Sequence, residues 1–196
     1  MIFLKRLIFI RHGESSANAK GIISSDINLY PLTPKGEEQV GFVAGQISAL
    51  RINTIYSSPL LRTRQTADIL SKKTNTEIRI IEELRETYFG TLSNTKLAGR
   101  VVDLPENVRR EHGIESWESH RKRLEMALLK MEDRSLVVTH GLVIRTIIGK
   151  VLRIDMEDFN GIFIRPSSMT TVDADSNRLY SVGNFLISDR IRNIFS

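Results

Sequence analysis

The sequence predicts an α/β domain: a three-layer α/β/α domain with a mostly parallel central sheet and a small lid excursion. Two observations carry this expectation. Short, fully apolar runs rich in β-branched and aromatic residues, such as Leu7-Ile8-Phe9-Ile10 and Leu136-Val137-Val138, read as buried central strands. They alternate with segments of helical period, and strand–helix alternation implies parallel pairing. No repeat, low-complexity tract or linker divides the 196 residues, so a single domain over 1–196 is expected.

The elements follow in order. Leu7 to Ile10 is the first strand. Thr33-Pro34 pairs an N-cap with proline at the first helical position, opening a helix to about Arg51 with Val40, Val43, Ala44, Ile47 and Leu50 on one face. Thr54 to Ser57 is a short strand. Ser58-Pro59 repeats the cap-and-proline signal and predicts a helix to about Lys73. Ile78 to Ile81 is a third strand. Ser93 to Gly113 has no clean period and is expected to form an irregular lid over 93–113. Glu115 to Met131 is helical, Leu136 to Val138 a strand, and Leu142 to Leu152 a helix. Met169–Val172 and Leu179–Val182 are late strands joined through Asp173-Ala174-Asp175-Ser176-Asn177.

Composition narrows the function. Apolar residues make up 41% of the chain, which is ordinary for a globular domain and unlike a disordered one. There is no cysteine, hence no disulfide, no thiolate nucleophile and no cysteine zinc site. No apolar run reaches the ~18 residues of a membrane span. Lys5 and Arg6 split the apolar N-terminus and no small-residue cleavage site follows, so a cytoplasmic protein is expected. The net charge is +5, but from Arg100 to Lys130 seven basic and six acidic residues interleave. That pattern is a solvated helical surface rather than a stripe for nucleic acid, so no specific nucleic-acid partner and no membrane partner are expected. The surplus positive charge suits a small anionic substrate.

The informative feature is internal. Ile8-Phe9-Ile10-Arg11-His12-Gly13 and Leu136-Val137-Val138-Thr139-His140-Gly141 share one layout: a buried strand, one polar residue, then His-Gly. Each histidine falls at the carboxyl end of a strand, the edge where open α/β sheets bind ligands. Converging imidazoles could hold a metal, yet there is no H-E-x-x-H and Arg11 beside His12 would repel a cation. Phosphoryl chemistry fits better. A neutral imidazole is a nucleophile near pH 7. The phosphoryl oxygens need fixed donors, which Arg11, Arg62 in Ser57-Ser58-Pro59-Leu60-Leu61-Arg62, and the backbone N–H groups after His140 can supply. Protonating the leaving alkoxide calls for a nearby carboxylic acid, and Glu86 in Leu84-Arg85-Glu86-Thr87-Tyr88-Phe89-Gly90 is the natural candidate, with Glu82 and Glu83 as rivals.

These residues resemble a known family. Arg11-His12-Gly13-Glu14-Ser15 with Asn18, Pro31-Leu32-Thr33 with Gly36, the run Ser57 to Ala67, Leu84 to Gly90, Gly113-Ile114-Glu115-Ser116 with Arg123, and Thr139 to Arg145 are similar to the motifs of the histidine phosphatase superfamily, in its phosphoglycerate mutase-like branch. The resemblance implies that His12 forms a phosphohistidine and that Arg11, Arg62 and His140 surround the phosphoryl group. It implies that Glu86 is the proton donor, and that Asn18, Ser24 and the backbone of Gly141 lie in or beside the phosphate site. Glu14 and Arg145 would be structural partners, and neither metal nor cofactor would be needed. The chain departs from the pattern at Ser25, where glycine is frequent, in the loop from Asp26 to Tyr30, which looks slightly long, and in Ser167-Ser168-Met169-Thr170, where asparagine is frequent.

A phosphatase and a mutase remain alternatives within such a family, because function lives in the site. A mutase needs a closed lid and a second anionic subsite. Lys96, Arg109 and Arg110 are the basic residues of the excursion that could furnish one, although a solvated basic lid explains them as well. The sequence therefore predicts a metal-independent phosphatase of small phosphomonoesters, with a 2,3-bisphosphoglycerate-dependent mutase as the alternative and a non-catalytic basic binding module as the distant one. A small phosphorylated metabolite is the expected partner, on a monomer or a homodimer.

Overall fold

The computed structural model describes residues 5–96, 103–154 and 162–196. In chain order the elements are β1 (Arg6–Arg11), α1 (Ser16–Lys20), β2 (Ile22–Ile23), α2 (Pro34–Ile47), β3 (Thr54–Ser57), α3 (Leu61–Thr74), β4 (Ile78–Ile80), β5 (Thr95–Lys96), α4 (Glu106–Glu111), α5 (Trp117–Leu129), β6 (Ser135–Thr139), α6 (Gly141–Leu152), β7 (Met169–Asp173), β8 (Arg178–Asn184) and α7 (Asp189–Phe195). Two short 3-10 helices, Glu82–Leu84 and Gly90–Leu92, flank the segment that holds Glu86.

The six-stranded sheet has the order β4-β3-β6-β1-β7-β8. Pairings β4–β3, β3–β6 and β6–β1 are parallel, while β7 and β8 add an antiparallel hairpin at one edge. The sheet is thus mostly parallel, as expected. Its central strands are apolar on both faces because both faces are covered. Leu7, Phe9, Tyr56 and Val137 pack with Leu124 and Leu128 of α5 and Val143, Ile144 and Ile147 of α6. Ile8, Ile10, Ile55 and Val138 face the other way, against Val40, Val43 and Ile47 of α2, Leu70 of α3 and Phe195 of α7. The alternation along β1 is the period of two of a strand, and it produces the three layers. Among the described residues no helix is long and apolar enough to cross a membrane.

Several boundaries differ from the sequence expectation. Helix α2 starts as predicted, with Thr33 accepting from Gly36 N–H and Pro34 at the first helical position, but it ends at Ile47. Ser58-Pro59 does not open α3. The helix begins at Leu61, capped by the backbone of Leu60, because the Ser58 hydroxyl is engaged elsewhere. Of the expected lid over 93–113, β5 pairs with β2 and α4 forms a short helix, while 97–102 lie outside the described residues. Helix α7 was not anticipated; Ser188 caps it, and its Ile191 and Phe195 are buried against the sheet layer.

One packing feature bears on the site. The turn after β1 meets the start of α2 backbone to backbone. A Cβ on Gly36 would lie 2.1 Å from Glu14 O, and one on Gly13 would lie 2.6 Å from Gly36 O. Two glycines are needed for this approach, and the contact fixes the turn that carries His12. Gly36→Ala should destabilise the fold by about 1–3 kcal/mol, the usual range for overpacking, or shift the His12 turn. Urea denaturation of the variant checks this, and an unchanged midpoint with unchanged activity would contradict it.

Candidate active site

Strands β1 and β6 are in parallel register, with Arg11 opposite Thr139, so the next residue of each chain leaves the sheet at the same edge. Those residues are His12 and His140. Their ring centroids lie 5.3 Å apart at an interplanar angle of 64°. Both are buried, at 3% and 0% exposure.

Arg62, in the first turn of α3, reaches between them. Its Nε–H donates to His12 Nε2 at 3.1 Å and its Nη2–H donates to His140 Nδ1 at 3.3 Å. Guanidinium has no acceptor, so both imidazole nitrogens must accept. The tautomers follow. His12 carries its proton on Nδ1 and donates it to Gly13 O at 2.7 Å. His140 carries its proton on Nε2 and donates it to Ser58 Oγ at 2.8 Å. Both rings are neutral. Burial first, then the charges of Arg62 and Arg11, push His12 well below the ordinary imidazole value of 6.5, against the Gly13 contact that raises it. Burial, Arg62, His12 and Arg11 do the same to His140. Burial lowers Arg62 itself to about 10, with Glu86 opposing, which leaves it charged at neutral pH.

Spare donors surround this pair. Arg11 Nη1 donates to Ile164 O at 2.6 Å, while its Nε is buried and makes no hydrogen bond to protein. Arg62 Nη2 also donates to Ser24 O at 3.0 Å, while Nη1 is buried without a protein partner. Buried N–H groups of charged side chains are rarely left so, and Arg11 Nε lies beside Gly141 at the start of α6, whose first N–H groups are also donors. Tetrahedral oxyanions suit such a set.

The cleft has about 780 Å³ of empty space and is lined by Arg11, His12, Asn18, Ser24, Arg62, Glu86, Gly141 and Arg145, among others. The sequence-predicted core residues are therefore together. His140 joins them through Arg62 and the contact with the His12 ring. Asn18 spends its side-chain carbonyl on Ser15, closing the cap of α1, and Ser24 holds Arg62 by its backbone carbonyl. Glu86 is the acid at the cleft, whereas the rival Glu83 pairs with Lys130. Glu14 is structural as expected, bonded to Thr33 and Lys35.

Lys96, Arg109 and Arg110 are not brought to the cleft. Lys96 is exposed on β5, paired across to Ile22. Arg110 is exposed on α4. Arg109 is fully buried, with its guanidinium carbon 3.9 Å from the centre of the Trp117 ring and Nη2 donating to Glu115 O. Cation–π contact and that carbonyl draw it inward, so it braces the fold beneath the excursion. Arg145, expected to be structural, does line the cleft, because it lies four residues and about one turn after Gly141 on α6.

Two contributions were not read from the sequence. Ser58 orients His140; its hydroxyl looked like a helix cap. An apolar wall of Ile22, Ile23, Phe89, Leu142, Phe163 and Ile164 also lines the cleft, drawn from four separate stretches of chain that no motif links. Among the described residues no three His, Cys, Asp or Glu side chains are grouped so as to hold a metal ion.

With this geometry in view, the comparisons are specific. Residues 7–183 match the model of the histidine phosphatase superfamily (branch 1), and the chain belongs to that family. It is 31% identical, over 96% of its length and 97% of the relative's, to the 2,3-bisphosphoglycerate-dependent phosphoglycerate mutase of Thermoplasma acidophilum. The fold is similar to the alpha-ribazole phosphatase of Shigella flexneri, with a TM-score of 0.76 at 20% identity over 93% of this chain and 98% of that one. It is also similar to a phosphoserine phosphatase of Entamoeba histolytica solved with 3-phosphoglyceric acid, with a TM-score of 0.71 at 24% identity over 95% and 99%. The chain is thus a phosphoryl-transferring enzyme of this superfamily.

The lowered imidazole pKa values have a signed consequence. The unfolded chain takes up protons at His12 and His140 near 6.5 before the folded chain does, so their contribution to folding stability is full above that value and declines as pH falls below it. A series of denaturation midpoints between about pH 8 and about pH 5 should show the decline beginning near the ordinary imidazole value. A midpoint that rises on acidification would contradict two buried neutral rings.

Proposed function

We propose that this enzyme hydrolyses small phosphomonoesters through a phosphohistidine on His12, without a metal. The observation that carries the reading is a neutral His12 with its Nδ1 proton held on Gly13, set among buried arginine N–H groups that have no protein acceptor. The ester phosphate enters between Arg11 and Arg62 and takes over the contact that Arg62 makes with Nε2. Nε2 attacks phosphorus, the bond to the ester oxygen breaks, and Glu86 gives that oxygen its proton. The Gly13 carbonyl stabilises the positive imidazole ring so formed. Water then attacks the phosphohistidine, its proton passes to Glu86, and orthophosphate leaves with His12 neutral again. Arg11 and Arg62 hold the equatorial oxygens, whose charge the transition state spreads, and His140 orients the Arg62 guanidinium.

Hydrolysis is favoured over isomerisation by the apolar part of the cleft lining. A carboxylate or second phosphate buried against Ile22, Ile23, Phe89, Leu142 and Phe163 would lose its hydration without a partner, whereas an apolar alcohol gains from burial. A specific observation supports the second reading, a bisphosphoglycerate-dependent mutase: the Thermoplasma relative bears that name along almost its whole length, and Arg145 adds a third guanidinium to the cleft. The basic binding module is the least supported, since the full set of reacting groups is assembled.

The test is orthophosphate release from a panel of esters in chelator, beside a bisphosphoglycerate-primed assay for isomerisation. Release resistant to chelator and favouring apolar alcohols is expected, with His12→Ala reducing it by at least about 10³-fold, as for loss of a covalent nucleophile. Efficient isomerisation with little release would establish the mutase instead. Sensitivity to chelator would remove the metal-free clamp. Glu86→Gln should lower kcat/KM most for esters with poor leaving groups, by about 10²–10⁴-fold, and a uniform loss would remove Glu86 as the acid.

A further inference from the structure

Glu86 lies in backbone that is neither helix nor strand, between the two short 3-10 helices, yet a proton donor must be placed within a fraction of an ångström. Its carboxylate accepts from the Thr87 N–H at 2.9 Å, which ties it only to the next residue. The segment itself is held from beneath by side chains of other elements. Arg123 of α5 donates through Nη1 to the carbonyls of Glu83 and Arg85, at 2.6 and 2.8 Å. Thr139, the residue before His140, donates to the carbonyl between them, that of Leu84, at 2.7 Å. The Thr87 hydroxyl lies 3.1 Å from Nδ1 of the fully buried His120.

Arg123 is aligned in turn. Its Nε and Nη2 form a two-pronged contact with Glu115, at 2.6 and 2.8 Å, and Nη2 lies 2.8 Å from His120 Nδ1. Glu115 also accepts from Tyr88 N–H and donates its own N–H to Tyr88 O at 2.9 Å, so the chain just past Glu86 is tied to the same group. The guanidinium thus spans a carboxylate, an imidazole and two carbonyls, which a single ammonium cannot do.

We infer that Arg123, aligned by Glu115 and backed by His120, is the positioning residue for the Glu86 carboxylate. It does not touch substrate; it acts through the backbone of residues 83–88. The inference rests on the reading of Glu86 as proton donor, and it holds whether the phosphoryl group passes to water or to a second alcohol.

The test is a double-mutant cycle of Arg123→Lys with Glu86→Gln, read as kcat/KM on an alkyl phosphate and on an activated aryl phosphate. Both constants report only the steps up to phosphohistidine. Arg123→Lys should lower the alkyl ester by about 10- to 100-fold, part of what a positioned general acid contributes, and the aryl ester, which needs little protonation, by less than about 3-fold. In the Glu86→Gln background the same change should have almost no further effect. If Arg123→Lys does not fold, Glu115→Gln, which keeps the shape and removes the aligning charge, replaces it in the cycle. An equal loss on both esters, or additive effects in the cycle, would overturn the inference and leave Arg123 a structural pin. A uniform effect of Glu86→Gln alone would overturn the proton-donor reading, and the inference with it.

Discussion

The guanidinium of Arg62, almost fully buried, donates to the facing nitrogens of two histidines that end adjacent parallel strands. Most of the site follows from that contact. Because guanidinium only donates, it forces His12 and His140 into opposite tautomers: one proton is sent to the Gly13 carbonyl, the other to Ser58. Burial, and then the same charge, keeps both rings neutral, so His12 in its proposed role needs no base to free it. A buried cation is costly unless its hydrogen bonds are met. The Ser24 carbonyl and two imidazoles meet three of its five N–H groups here, and the two on Nη1 have no protein acceptor.

The sheet makes this contact possible. Parallel pairing of β1 with β6 places the two His-Gly steps side by side, and β3, on the other side of β6, delivers α3 and Arg62 to the same edge. The backbone contact between Gly13 and Gly36 holds the turn after His12 against α2. At the start of β7, Ser167 N–H donates to Arg11 O and Ser168 O accepts from Arg11 N–H, which steadies the chain on the other side of the nucleophile. In the proposed reaction a rigid sheet edge serves the phosphoryl group, while β2, Phe89 and the Phe163–Ile164 pair line the alcohol side. Strand ends give fixed geometry for the reaction shared by the family, and looser segments give room for different alcohols.

The two halves of the reaction are supported in different ways. His12, the proposed nucleophile, is held by strand ladders, and Glu86, the proposed acid, by side chains of α5 and β6 that grip successive carbonyls in an irregular stretch. Arg109 belongs to the same region but to neither half. Its stacking on Trp117 supports the small cluster of Phe89, Trp117 and Leu142 that forms the floor of the apolar wall.

What the sequence by itself determined was everything set by local pattern. Short, fully apolar runs and helices of period 3.6 gave the layers, and the repeated strand–His–Gly layout put His12 and His140 on one edge. The Arg62 segment, beginning at another strand end, joined them. Glu86 was legible because it follows a strand, although only the fold separated it from Glu83. What tertiary structure alone decided depends on partners distant in the chain. Ser58 looks like a cap until His140, 82 residues away, is seen to take its hydroxyl. Arg109 looks like a free cation until Trp117 is found over it, and Arg145 like a structural residue until α6 turns it toward the cleft. The wall from Ile22 to Ile164 has no sequence signature because its members come from four separate stretches of chain. Hydrogen bonds and burial act on neighbours in space, and a chain states its own periodicity but not which of its side chains will meet.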